Sequence, residues 1–276
     1  MELPTKFKGN HTMLRLDEPL TIEQMCAVAP SICVDEASAT WSARYGIVPT
    51  SEVLLRLANY GFSAFMIGQS KTRDTSKREH TRHMVRLRHQ SFRRPDVVNE
   101  LVLLHSDDAP ASYHLLAGVY RLASRGAMVC GTKVRDVKVR QSGDAFQDII
   151  EGVLLAVDDF RLVDAQREAM QALWLTQADQ IAFAKSACSL RWDDPDVVPP
   201  VTEHQLLHIE RPEDNAADLW TTLSRVHEHL TRGGLRGPRF DGRRATTRAI
   251  HAIDQNVNIN RALWFLARAV LELKID

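Results

Sequence analysis

Apolar positions recur at helical spacing along much of the chain. Val53, Leu54, Leu57 and Ala58 form one stripe, with Thr50 or Ser51 placed to cap the helix and Gly61 to close it. Thr21 is placed to cap a shorter helix over 20–28, which Pro30 ends. Leu115, Leu116, Val119 and Leu122 predict a helix over 112–125, ended by Gly126. Ile149, Ile150, Val153, Leu154 and Val157 predict a long acidic helix, or a broken pair, over 144–174. Further helices are expected over 178–190, over 216–230 with Leu219, Trp220, Leu223 and Val226 inward, and from 254 or 258 to 273 with Ala262, Leu263, Phe265 and Leu266 inward.

Between these lie stretches of strand character: 62–71, 79–89, 100–105 with its continuous apolar run, and 129–139. The order in the middle is helix, three strands, helix. The expected fold is therefore α+β, a small antiparallel sheet wrapped by a mostly helical C-terminal half. Three segments follow: an arm and short helix over 1–45, an α+β core over 46–140, and a helical region over 141–276. The last contains an acidic linker, 193–218, and a glycine-arginine loop, 231–248.

Charge changes this picture. The 276 residues carry 35 basic and 35 acidic side chains, yet residues 71–94 hold nine Lys and Arg against Asp74 and Glu79. In a strand over 81–89, alternate residues share a face, so Arg82, Arg86 and Arg88 point one way and Val85 and Leu87 the other. A cationic face backed by an apolar one suits a polyanion, nucleic acid being the commonest. The candidate phosphate contacts there are Lys71, Arg73, Lys77, Arg78, Arg82, Arg86, Arg88, Arg93 and Arg94. A second basic element, Arg232, Arg236, Arg239, Arg243, Arg244 and Arg248 in the loop 231–248, would order on a nucleic-acid backbone as a clamp.

Other chemistry is weaker. His204 and His208 are four apart, but no spacing implies a third ligand, so no metal or cofactor is expected. Asp107 and Asp108, beside His105, suggest a Mg²⁺-dependent nuclease less well than a turn. No Walker motif, dinucleotide fingerprint or nucleophile elbow is present. Cys26, Cys33, Cys130 and Cys188 show no metal or redox spacing and read as reduced, buried thiols of a cytoplasmic protein. No run of 18 apolar residues exists, so no membrane partner is expected.

Several runs carry a family resemblance. They are Ile47-Val48-Pro49-Thr50, Lys77-Arg78-Glu79-His80-Thr81-Arg82-His83-Met84-Val85-Arg86-Leu87-Arg88, Val201-Thr202-Glu203, Asp218-Leu219-Trp220-Thr221, Leu230-Thr231-Arg232-Gly233-Gly234-Leu235 and Ile253-Asp254-Gln255-Asn256-Val257, followed by Asn260-Arg261-Ala262-Leu263-Trp264. Nearly the whole chain resembles the YafZ/YfjQ/YubP family of plasmid and prophage proteins, which has no assigned activity. The family's usual Asn-Ser-His-Asp-Gly run is here His105-Ser106-Asp107-Asp108-Ala109. Its usual Cys-x-Asn-Gly-Leu run is here Ala123-Ser124-Arg125-Gly126-Ala127. The element order is also similar to the core of single-strand annealing recombinases, in which a β-hairpin and helix line a positive groove on a ring of subunits. That similarity implies single-stranded DNA as partner, with duplex or RNA as variants, and self-association. The charge sorting along the chain equally suits a module that docks on a host defence or repair complex. Of these, the leading expectation is non-enzymatic nucleic-acid binding for a mobile element.

Overall fold

Strand β1 (His11–Arg15) pairs antiparallel with β2 (Phe62–Ser70), and β2 pairs antiparallel with β3 (His83–Arg93). Strand β3 then pairs antiparallel with β4 (Val97–Ser106). The sheet continues in chain order through β5 (Ser112–Arg121) and β6 (Gly126–Val129), with β7 (Val139–Arg140) also pairing with β5. This computed structural model describes residues 11–34, 48–70, 72–106, 112–124, 126–130, 139–140, 145–192, 194, 199–238 and 243–275. Its helices are α1 (Ile22–Val28), α2 (Thr50–Asn59), α3 (Ala145–Ala172), α4 (Gln177–Arg191), α5 (Glu203–Leu206), α6 (Leu219–Arg232) and α7 (Ile253–Ile275). Strands β8 (Arg236–Pro238) and β9 (Arg244–Thr246) form a separate hairpin between α6 and α7.

The fold is α+β, with a larger sheet than expected. Residues 112–121, read as helix, form β5. Tyr113, Leu115, Ala117 and Val119 are buried on one side of it, and Leu116 and Tyr120 on the other. A run apolar on all sides satisfies a central strand as well as a helix, and the aromatic and β-branched residues tip it to strand. The arm expected before residue 20 supplies β1. The loop expected over 91–99 is taken up by the end of β3 and the start of β4, with a short 3₁₀ turn, Thr75–His80, leading into β3.

Local signals explain most helix ends. Thr21 accepts from the Gln24 amide while the Gln24 side chain accepts from the Thr21 N–H, closing a capping box on α1. Helix α2 lacks such a cap because Thr50 is turned inward, against His83 and Tyr113. Cys26 and Cys33, expected as free thiols, are joined in a disulfide with Cα atoms 6.1 Å apart. The turn at Pro30 brings the end of α1 back within bonding reach, which the spacing alone does not reveal. Cys130 and Cys188 are free and buried.

The chain divides into two compact units, each assembled from several stretches. The first, residues 1–119, 133–160 and 251–253, has a core of Val53, Leu57, Ile67, Val85, Leu87, Leu101, Leu103, Leu115, Ile149 and Phe160. The second, residues 120–132, 161–250 and 254–276, buries Phe183, Leu206, Leu223 and Leu230 together with Trp220 and Trp264, whose rings meet edge to face at 6.3 Å. Each such fully buried side chain contributes about 1.5–3 kcal/mol relative to exposure.

Candidate nucleic-acid interface

The cationic face expected on 82–88 does not project into solvent. Arg86 is 1% exposed and Arg88 5%, and both contact Glu100, itself 1% exposed. Arg86 Nη1 lies 3.1 Å from Glu100 Oε2, and Arg88 Nε lies 2.9 Å from Oε1. The guanidinium of Arg88 also sits 4.4 Å over the Phe65 ring. The cause is register: β3 is flanked by β2 and β4, and Glu100 of β4 stands directly opposite Arg88. These two arginines therefore serve the interior, a correction to their reading as phosphate contacts. Arg82 is half-buried; Arg73, Arg78 and Arg94 are exposed. Lys71, Arg239, Asp107 and Asp108 lie outside the described residues, as do the side chains of Lys77 and Arg93.

From the same strand, His83 enters a buried polar chain. Ser31 Oγ donates to Gln69 Oε1 at 3.1 Å and lies 2.9 Å from His83 Nδ1. His83 Nε2 lies 2.9 Å from Thr50 Oγ1, which is 3.0 Å from the Tyr113 hydroxyl, and that hydroxyl donates to the Val48 carbonyl. The His83 ring thus sits between two hydroxyls, bonded through Nδ1 to Ser31 and through Nε2 to Thr50. Burial, and then the neighbouring His105, hold His83 well below its ordinary pKa. Burial, and then His114, hold His105 down at about 4. The adjoining cavity is about 10 Å³, too small for a substrate, so this network is structural.

The second basic element is built differently from a loose clamp. Residues 236–238 and 244–246 pair as the β8–β9 hairpin, with Arg236 opposite Thr246 and Pro238 opposite Arg244. Cross-strand partners and alternate residues share a face, so Arg236, Pro238, Arg244 and Thr246 all lie on the exposed side. Arg243 and Arg248 are exposed beside them. Among the described residues, none of the ion pairs involves Arg236, Arg244 or Arg248.

The hairpin is seated on the second unit by close backbone approach. Gly233 has φ +70°, and a Cβ there would stand 2.5 Å from the Arg248 carbonyl carbon. A Cβ on Gly237 would stand 2.1 Å from the Pro200 oxygen. Both glycines are therefore required where the hairpin meets its support. Arg191 donates to the carbonyls of Leu230 and Arg248, and the Thr247 N–H donates to the Leu235 carbonyl at 2.8 Å.

Arg232, expected in the clamp, belongs instead to an ion network. Arg121 Nη1 lies 2.7 Å from Asp214, and Asp214 lies 2.9 Å from Arg211. Arg211 pairs with Glu228, and Glu228 lies 3.2 Å from Arg232 Nη1. Arg232 grips Glu210, donating to Oε2 at 2.8 Å, and His229 Nε2 lies 3.3 Å from Glu210 Oε1. His229 Nδ1 is 2.9 Å from the Leu206 carbonyl. The hydrogen bond from Arg232 is the main cause that holds Glu210 down at about 2. This network absorbs Glu210 and Asp214 of the acidic segment 193–218, while Asp218 caps α6 by accepting from the Thr221 amide at 2.8 Å. It also explains how α6, buried from Leu219 to Leu230, carries Glu228 and His229.

At the edge of the network lies a pocket of about 300 Å³, lined by His204, Gln205, His208, Glu210, His229 and Leu235. Its last lining residue immediately precedes β8, and Gln205 donates to the Arg236 carbonyl at 2.9 Å. Hairpin and pocket are thus neighbours within one unit. The sequence hinted at the pocket only through the His204–His208 spacing; Glu210 and His229 reach it by tertiary packing. Among the described residues, no group of three His, Cys, Asp or Glu is placed to hold a metal ion, and no helix is long and apolar enough to cross a membrane.

Comparison with known proteins adds relatives whose names assign no activity. The chain is 39% identical to UPF0380 protein YafZ of Escherichia coli strain K12 over 263 residues, covering 95% of this chain and 96% of the relative. It is 39% identical to UPF0380 protein YfjQ of the same organism over the same coverage. No solved structure matches. A family model described as a domain of unknown function, DUF932, matches residues 38–264, a span that takes in both the buried Arg–Glu group and the hairpin–pocket site, and the chain belongs to that family.

Proposed function

We propose that the chain is a non-enzymatic nucleic-acid-binding protein that holds single strands along the β8–β9 hairpin. The observation that carries this reading is the exposed face shared by Arg236 and Arg244, with Arg248 beside it and no carboxylate paired to any of the three among the described residues. Guanidinium groups placed this way contact successive phosphates, and counterion release supplies the affinity. A pre-ordered hairpin binds with less ordering cost than a loop that folds onto its ligand. Relatives of unassigned activity neither add to nor oppose this. The resemblance to plasmid and prophage proteins supports a role for a mobile element, where holding single strands for annealing is a fitting task.

The test is fluorescence anisotropy at low salt with single-stranded DNA, duplex DNA and RNA. Single-stranded binding that is lost in Arg236→Glu/Arg244→Glu is expected. Binding that is absent, or unchanged in that variant, overturns the reading.

A further inference from the structure

We propose that the pocket lined by His204, His208, Glu210, His229 and Leu235 receives one unstacked nucleobase, and that it favours bases carrying an exocyclic amino group. This inference rests on the nucleic-acid reading above and extends it to specificity.

Position supports it first. Leu235 lines the pocket and leads directly into Arg236, whose carbonyl is held by Gln205 from the same lining. A strand with phosphates on the hairpin therefore has its neighbouring base at the pocket mouth. The volume, about 300 Å³, stands at the lower end of small-ligand sites, which span roughly 300–1,000 Å³.

The lining chooses the base over the phosphate. Three imidazoles and one leucine offer flat and apolar surface for a splayed base, and the His208 and His229 rings lie 6.4 Å apart, centre to centre. Glu210 brings a carboxylate that Arg232 keeps ionised. A carboxylate repels a phosphate oxygen and accepts an N–H. Its Oε1 already takes Arg232 and faces His229, while Oε2 takes only Arg232 at 2.8 Å. Each carboxylate oxygen has about two acceptor sites, so Oε2 has room for one incoming donor. The amino groups of cytosine, adenine and guanine supply that donor. Thymine and uracil have a carbonyl in place of the amino group, and a carboxylate that reaches their N3–H also meets the two flanking carbonyl oxygens.

The experiment compares oligo-dC with oligo-dT of equal length on the full chain at low salt and pH 8, together with ring NMR signals of His208 and His229 on addition of CMP or UMP. The expected result is roughly tenfold tighter binding of oligo-dC, the size of one good base contact. Glu210→Gln should lower the preference for oligo-dC severalfold, and CMP should shift the His208 signal more than UMP. Equal affinities with unmoved histidine signals overturn this inference and leave the hairpin reading standing. Failure of both oligonucleotides to bind overturns both together.

Discussion

Arg88 and Glu100 face each other across the β3–β4 register, with Nε 2.9 Å from Oε1 and both side chains out of solvent. Arg86 reaches the same carboxylate from two residues away. One acid thus holds two buried guanidinium groups. Removing it leaves both charges buried without their carboxylate, so Glu100→Gln is expected to destabilise the protein by about 3–5 kcal/mol. Urea denaturation of the variant against the parent measures this; a change below about 1 kcal/mol, the level of an exposed pair, contradicts the buried arrangement.

Phosphate contacts on the hairpin carry a salt signature. Each contact to a single strand contributes about 0.7 to the slope of log affinity against log salt. Arg236→Ala and Arg244→Ala are each expected to lower that slope by about 0.7 and weaken binding to all sequences alike. An anisotropy titration from low to moderate salt reads both effects. A slope unaltered by either variant removes the hairpin from the interface.

The buried histidines make stability depend on pH. His83 and His105 are held below their ordinary value of 6.5, so the unfolded chain binds protons that the native chain refuses. Stability is therefore fully present above about pH 6.5 and is lost as pH falls toward 4. For His105, held down at about 4, the loss is on the order of 3 kcal/mol across that window. Glu210 and Asp179, both held down at about 2, add their losses only at lower pH. Thermal melting between pH 7.5 and 4.5 should show a falling midpoint that flattens in His105→Phe. A flat profile in the parent chain counts against the burial of these rings.

The Cys26–Cys33 disulfide closes a short loop that carries Ser31, the hydrogen-bond partner of His83. Cross-linking so few residues is expected to stabilise by about 2 kcal/mol, chiefly by restricting the unfolded chain. Melting with and without dithiothreitol, repeated on Cys26→Ser, provides the measurement. Reduction should lower the midpoint in the parent and leave the serine variant unmoved; identical midpoints in the parent would show that no bond forms.

Much of the architecture was readable from pattern alone. Helices α3, α4 and α7, and strand β2, fall close to their expected positions, because helical and alternating periodicities are local properties. The glycines and arginines of 231–248 marked a basic loop. What pattern could not supply was pairing. Alternation placed Arg86 and Arg88 on one face of β3, and they share it, but only the register with β4 set Glu100 against them and closed that face to water. The same holds for β5, where an apolar run consistent with a helix became a strand through its neighbours in the sheet.

The amino-acid sequence by itself determined the α+β class, the long helices, the sorted charge and the two basic segments, since these depend on residue type and short-range spacing. Tertiary structure decided which arginines face solvent. Residues 83–88 enter a sheet flanked on both sides, where a charge persists only with an opposite charge beside it, whereas 236–238 and 244–246 pair as a two-stranded hairpin with one face left to water. It also gathered His204, His208, Glu210 and His229 around one pocket, from positions whose proximity depends on how α5 and α6 pack.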